Sequence, residues 1–436
     1  MPRPEPGPVL RLPLPRRVRA EDVARALGAA DLVWSDREAA PTDRVSFVGA
    51  AERVLRFDQA ADPERVLGAL EPEAAASSRL GWWGWFGYEL GAAWIGVPSE
   101  PGAAPAAAFL HAAVGVELDH DAGAAVVVAL PGREAEAAAL HAAVLAAKPE
   151  PPVPPVPPVP TDWSWRHGPE AYPAVVEACR EAIRAGDAYQ LCLTDTATIR
   201  FAAPPDPVAV FRALRAAATV PAALLVRIDG WSLASVSPET FLAVDAAGRA
   251  RSRPIKGTRR RDADPERDRA LAAELLASDK ERAENTMIVD LVRNDLARVA
   301  RVGGVRVTGL LEVETYPAVH QLVSTVEADL VGRPLDAVAA LLPAGSMTGT
   351  PKRSAVTILR DLERGPRGVY SGAAGRISAD GTIDLAVVIR SVVLHGGTAT
   401  IGAGGGITIL SDPAEEEAEV RLKARPLLAA CGVVAP

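Results

Sequence analysis

Between residues 168 and 201 the hydrophobic period of the chain changes abruptly. Tyr172, Val175, Val176, Cys179 and Ile183 recur every three or four positions, which predicts a helix that opens at Pro169 and stops at Gly186. From 189 to 201 the period is two. Tyr189, Leu191, Leu193, Ala197, Ile199 and Phe201 share one face, and Gln190, Cys192, Thr194, Thr196 and Thr198 the other. The pattern predicts a half-buried strand whose second face, polar but uncharged, suits a pocket wall. The same reading predicts strands at 45–49, 124–130, 222–228, 231–236, 239–245, 248–253 and 382–394, and helices at 21–27, 134–147, 265–277 and 280–299. A further helix closes the chain. Helices and largely antiparallel strands mix without a regular βαβ rhythm, so the fold class is α+β.

Two stretches break the periodic pattern. Residues 81–89 set five aromatics among three glycines, a density that could stack a ligand but more often makes a core where backbones approach closely. Residues 149–160 alternate Pro with Val and Glu, which excludes helix and inner strand and suits a stiff polyproline spacer. The expected division is an N-terminal subdomain at 1–148, a linker at 149–167 and a second domain at 168–436.

With 436 residues, 49% of them hydrophobic, the chain can bury one large core or two moderate ones. A net charge of −8 speaks against nucleic acid and anionic membranes as partners. No window holds the ~18 apolar residues of a spanning helix. The Pro- and Arg-rich start has no apolar signal core. Cys179, Cys192 and Cys431 form neither a metal spacing nor a disulfide framework, so the expected location is the cytoplasm.

Several residues have chemical potential. Lys256 follows a predicted strand and precedes Gly257; it is either a surface loop lysine or, where hydration is lost, an amine whose lowered pKa makes it a nucleophile. Glu281 and Glu284 lie three apart on one predicted helix, as do Glu416 and Glu419 on another. Two such pairs could hold Mg²⁺ with positions left open for an anion, or could be solvated faces with ordinary pairs such as Glu419 with Lys423. Residues 402–407 read as a glycine turn whose amides could cradle a carboxylate. Residues 345–354 read as a hydroxyl-lined turn, with Ser346 and Thr348, before a helix N-terminus. Arg390, on the predicted 382–394 strand, and Lys423 add fixed positive charge.

Taken in order, five motifs resemble the chorismate-utilising enzyme family. They are Pro254-Ile255-Lys256-Gly257-Thr258, the run from Arg282-Ala283-Glu284-Asn285 to Asp295, Gly345 to Lys352, Gly404-Gly405-Gly406-Ile407, and Glu416 to Lys423. The likeness runs from about 168 to 430, and the first half resembles that family's more variable portion. It implies two large, mostly antiparallel sheets packed as a sandwich with helices outside. It implies Mg²⁺ at Glu284 and Glu419, with Glu281 and Glu416 close by. Lys256 is the implied nucleophile and Glu239 the implied acid/base. Substrate contacts are implied for Gln190, Thr258, His320, Ser346, Thr348, Gly349, Tyr370, Arg390, Gly404, Gly405 and Lys423. One departure lies in the last motif, where Glu417 stands in place of the family's usual aromatic.

Three positions select a branch. Water-adding members carry a Lys base where this chain has Gln190, and a Gln cannot deprotonate water, so ammonia is the implied nucleophile. Anthranilate-forming members resemble Pro-Ile-Ala-Gly-Thr at the central motif and carry His after Ala-Glu; this chain has Lys256 and Asn285. Both point to amination of chorismate at C4, on the route to 4-aminobenzoate and folate. No cysteine stands in a glutaminase context, so a glutamine amidotransferase subunit is the implied ammonia source. The rivals are an anthranilate-type enzyme and a non-catalytic subunit that binds chorismate or an aromatic amino acid. A pure binder has no need of Lys256.

Overall fold

A computed structural model describes residues 8–15, 18–72, 79–98, 100–148, 155–218 and 220–434. Among them are a 12-stranded and a 10-stranded sheet, with antiparallel pairing throughout. In the first sheet Leu32–Asp36 pairs with Ala223–Ile228, and the order continues through Trp231–Ser235, Ser391–His395 and Thr398–Ile407 to Gln190–Phe201. In the second, Gly81–Phe86 pairs with Ala373–Ser378, and the far edge reaches Val319–Leu330 and Ile255–Arg260. Both sheets therefore draw strands from both sides of the Pro-rich stretch.

The sheets face each other across a dry layer that includes Val33, Phe47, Trp83, Trp85, Leu110, Val226 and Leu233. Burying side chains of this size stabilises the fold by about 1.5–3 kcal/mol each. The 81–89 aromatics belong to the core, as expected: Trp82, Trp83, Trp85, Phe86 and Tyr88 are all buried. Helices Ala20–Leu27, Glu134–Ala146, Gly168–Arg184, Pro207–Ala217 and Pro413–Ala430 cover the outer face of the first sheet. Asp279–Ala297 and Asp336–Leu341 cover the second. Among the described residues no helix is long and apolar enough to cross a membrane.

Four expectations need correction. Residues 149–154 of the proposed spacer lie outside the described residues, and Pro160–Trp165, also assigned to it, is a strand paired with Gln190–Phe201. It lies at an edge, where proline's missing N–H costs no ladder bond. The Gln190–Phe201 strand is not half-buried at its start: Gln190 to Asp195 are buried on both faces, while Tyr189 is 67% exposed. The predicted 382–394 strand is two strands in different sheets, Ile383–Val387 and Ser391–His395, joined through Arg390 at φ 51. Residues 402–407 are no turn; they complete the Thr398–Ile407 strand, with Thr194 opposite Gly404 and Leu193 opposite Gly405.

Candidate active site

The chain passes between the sheets twice beside the site. One passage runs from Trp231–Ser235 to Thr240–Val244 and carries Glu239; the other, through Val388 to Arg390, carries Arg390. They brace each other, since Val387 N donates to Glu239 O at 3.0 Å and Val236 N donates to Arg390 O at 3.1 Å. Sequence alternation carries no signal for such a passage, which is why Arg390 read as a strand residue.

Lys256 stands on an irregularity in the Ile255–Arg260 strand. Ile255 faces Val323 and Thr258 faces Gln321, so the partner strand spends one residue fewer between the pairs. Gly257 takes φ +82 there, a conformation that suits glycine at a bulge. Side chains from the neighbouring helices, Leu275 and Glu281, occupy the space its Cβ would need. The bulge aims the half-buried Lys256 at the Gly345–Met347 turn, where Nζ donates to the Ser346 carbonyl at 3.4 Å. The buried Glu239 lines the same small cavity as Ser346. Burial pushes Glu239 up to about 7, against the opposing pull of Ser346 and Lys256.

The Lys256 pKa does not fall as the sequence suggests. Burial does press it down, but Cys192 and the carboxylates Glu284, Glu239 and Glu419 act in the opposite direction, and the net result lies above the ordinary lysine value. The amine is therefore protonated at neutral pH in the free protein. The carboxylates arrive from three other elements, which the hexapeptide around Lys256 could not reveal.

The glycines of Thr398–Ile407 form the floor. A Cβ on Gly406 would lie 2.5 Å from Gln190 Nε2 and 3.2 Å from Glu284 Oε2; one on Gly405 would lie 3.0 Å from Glu416 Oε2 and 3.9 Å from Lys423 Nζ. Four polar side chains thus converge on bare backbone. The Ser391–His395 strand pairs only as far as Thr400, so among the described residues one edge of 401–407 has no strand partner and can offer its amides to an anion. Tyr370 is buried with its ring against Gly402, and burial raises its phenol well above the ordinary value. Arg390 NH1 donates to the Lys423 carbonyl at 3.0 Å and makes no ion pair among the described residues. Lys423 Nζ bonds Glu419 at 2.6 Å and the Gly404 carbonyl at 2.8 Å.

Glu284 is buried with no hydrogen bond or ion pair among the described residues. Burial raises its pKa, Lys256 and Lys280 oppose the shift, and Glu281 and Glu416 add to it. Glu416 accepts from Ser411 Oγ at 2.7 Å and from Lys280 at 3.4 Å. Glu281 faces Arg259 at 3.5 Å. Burial opposes charge on Glu419, yet Lys423, with Lys280 and Lys256 adding to it, more than offsets burial and the pKa is lowered. Among the described residues no three His, Cys, Asp or Glu side chains form a closed metal cage. An unpaired buried carboxylate beside others fits a hard cation that keeps water and substrate oxygens in its shell.

Some candidates stand apart. Thr258 is exposed. His320 is held by Thr315 Oγ1 and Asp268 Oδ1, each at 2.9 Å, and among the described residues makes no hydrogen bond to the Lys256 cluster. The Thr348 hydroxyl donates to the carbonyls of Ala344 and Gly345, so it braces the turn. At the Lys352–Glu363 helix N-terminus Lys352 pairs with the buried Asp295 at 2.5 Å, so that end already has its anion. Gly349 packs on the Gln190 carbonyl. Asn285 is buried, donating to Leu322 O at 3.2 Å and accepting from Ser324 Oγ at 2.5 Å, which fastens its helix to the second sheet. Sequence reasoning missed Glu363 and Arg367, a buried ion pair behind this wall.

The chain is 40% identical over 433 residues to an aminodeoxychorismate synthase from Streptomyces pristinaespiralis, covering 92% of this chain and 60% of that protein. It is 44% identical over 370 residues to the aminodeoxychorismate synthase of Streptomyces griseus, covering 82% and 51%. It thus spans between half and two thirds of the length of these relatives. The solved structure of anthranilate synthase component I from Streptococcus pneumoniae TIGR4 superposes with a TM-score of 0.77 at 28% identity, over 89% of this chain and 93% of that one. Residues 30–429 match the model of the chorismate binding enzyme family, and the chain belongs to that family.

Proposed function

We propose that this chain catalyses the transaminase-type amination of chorismate at C4, giving 4-amino-4-deoxychorismate in the cytoplasm, on the route to 4-aminobenzoate and folate. Ammonia comes from a glutamine amidotransferase subunit. The observation that carries this reading is Lys256, aimed by the Gly257 bulge at the Ser346 turn that shares a small cavity with the buried Glu239. Lys256 first gives one proton to solvent, which frees the lone pair of Nζ; Nζ then bonds to C2 of chorismate as the C4 hydroxyl leaves with the proton held by Glu239. Ammonia then bonds to C4 and the Lys256 amine departs from C2, restoring the ring double bonds. Glu239, poised near 7, holds the proton that the hydroxyl takes.

Glu284 and Glu419, with Glu281 and Glu416 alongside, are the residues that would hold Mg²⁺, whose charge would grip the ring carboxylate. Arg390, Lys423 and the open edge of the glycine strand orient the substrate carboxylates. Gln190, buried with Oε1 unpartnered among the described residues, offers hydrogen bonding without basicity, in keeping with ammonia rather than water as nucleophile. Cys179, Cys192 and Cys431 are all buried with thiols pushed up by burial, so none serves as a glutaminase nucleophile. The likeness to an anthranilate synthase favours a second reading, direct attack of ammonia at C2, in which Lys256 has no covalent role.

Product analysis separates the two. Purified chain with chorismate, Mg²⁺ and ammonium at raised pH is expected to yield 4-amino-4-deoxychorismate, and glutamine alone to yield nothing. Anthranilate as the sole product, or turnover with glutamine and no second protein, contradicts the proposal.

A further inference from the structure

Behind the Gln190 wall lies a buried guanidinium that touches no candidate substrate group. Arg367 uses all five of its N–H bonds. Nε and NH2 donate to the two Glu363 oxygens at 2.8 and 2.6 Å, NH2 to Cys192 O at 2.9 Å, and NH1 to Met347 O at 2.6 Å and Ser371 Oγ at 3.3 Å. Glu363 Oε1 also accepts from the amide and the hydroxyl of Thr194, both at 2.9 Å. Tyr88 covers the guanidinium face, 4.2 Å from ring centroid to Cζ, and the main chain of Arg367 is itself anchored by Glu89 at 2.7 Å.

The three segments so joined are three walls of the site. Cys192 follows Gln190 on its strand, Met347 adjoins Ser346, and Ser371 adjoins Tyr370. A backbone bond from Cys192 N to Thr348 O at 2.7 Å joins the first two, and the guanidinium adds the third and sets the angle between them. A planar fork with five fixed directions can do this; an ammonium cannot. We propose that Arg367, held by Glu363, is the positioning residue of the site. It fixes Gln190, the Ser346 carbonyl that receives Lys256, and Tyr370 in one frame. The proposal rests on the amination reading for its kinetic consequence and on geometry alone for its structural one.

The test is Arg367→Ala in the full chain, followed by kinetics with chorismate, Mg²⁺ and ammonium and by amide hydrogen exchange. The expected kcat falls roughly 100-fold, as for a displacement of about 1 Å in a reacting group, while KM changes only a few-fold. Added guanidinium ion restores part of kcat. Exchange rises together in residues 190–194, 345–350 and 369–372, and stays unchanged where Leu10–Leu14 pairs with Ala124–Ala129. Wild-type kcat in the folded variant, or exchange that rises uniformly along the chain, overturns the proposal. Should Arg367→Ala not fold, Ser371→Ala and Thr194→Val each remove one bond. Each is then expected to raise exchange in its own segment and lower kcat several-fold, and no change in either overturns the proposal. If the wild-type chain aminates nothing, the functional reading fails, and the exchange pattern still decides the positioning role.

Discussion

Gly84, in the Gly81–Phe86 strand, and Gly406, in the Thr398–Ile407 strand, both lie too close to a neighbour to accept a Cβ, but the neighbours differ in kind. At Gly84 the obstruction is backbone: the Ala108 carbonyl and Phe109 Cα of the adjoining strand. At Gly406 it is the ends of two functional side chains, Gln190 and Glu284. The first glycine lets a sheet close over Trp83 and Trp85; the second lets reactive groups reach a strand from two other elements. A glycine-rich strand in this fold therefore means dense packing in one sheet and an open floor in the other. The neighbours decide which, and the composition does not.

Substitution can separate the two meanings. The largest effect is expected at Gly84→Ala, where backbone cannot yield. Stability should fall by about 4 kcal/mol, or folding fail, as measured by denaturant unfolding. Gly406→Ala meets flexible side-chain ends, so its stability cost should stay within about 1.5 kcal/mol. Displacing Gln190 and Glu284 should nevertheless lower kcat/KM roughly 100-fold. Loss of activity in proportion to loss of fold at Gly406, or a well-folded Gly84→Ala, breaks the comparison.

A smaller effect sharpens it. Each region holds a carboxyl that burial raises to about 7, Glu89 beside the aromatic strand and Glu239 in the site. A carboxyl raised above its unfolded value stabilises the fold fully below the unfolded pKa, and the contribution is lost as pH rises through the folded one. Between pH 5 and 8 each therefore accounts for about 2 kcal/mol of declining stability. Glu89→Gln and Glu239→Gln should each flatten the pH dependence of the unfolding free energy by that amount. Only Glu239→Gln should also remove the fall in kcat/KM above pH 7. Unchanged slopes in both variants contradict the burial account of these carboxyls.

Much of the architecture was legible because it rests on local periodicity. The helix expected at 265–277 is Pro265–Ala277, and that at 134–147 is Glu134–Ala146. The family resemblance pointed to Lys256, Glu239, Glu284 and Gln190; Glu284 and Glu239 act electrostatically on Lys256, and Glu284 meets Gln190 over Gly406. What remained hidden depends on partners distant in sequence. Apolar residues continue on both sides of Arg390 from 385 to 394, so the change of sheet there leaves no clear trace in the sequence. Four glycines between 402 and 406 suggest a turn until the pairing with residues 192–196 is known. Glu363 and Arg367 look like charges in a helix tail and a loop; burial and five converging acceptors give them their meaning.

The central claim is that Lys256 forms a bond to substrate, and mass spectrometry tests it directly. Enzyme quenched during turnover with chorismate, Mg²⁺ and ammonium should carry a chorismate-derived adduct on the peptide that contains Lys256. Lys256→Ala should lose the adduct and most amination at C4, with residual product shifted toward amination at C2. Lys256→Arg should not rescue, because a guanidinium stays protonated and cannot attack. A Lys256→Ala chain that forms 4-amino-4-deoxychorismate at the wild-type rate, with no adduct in either protein, contradicts the account.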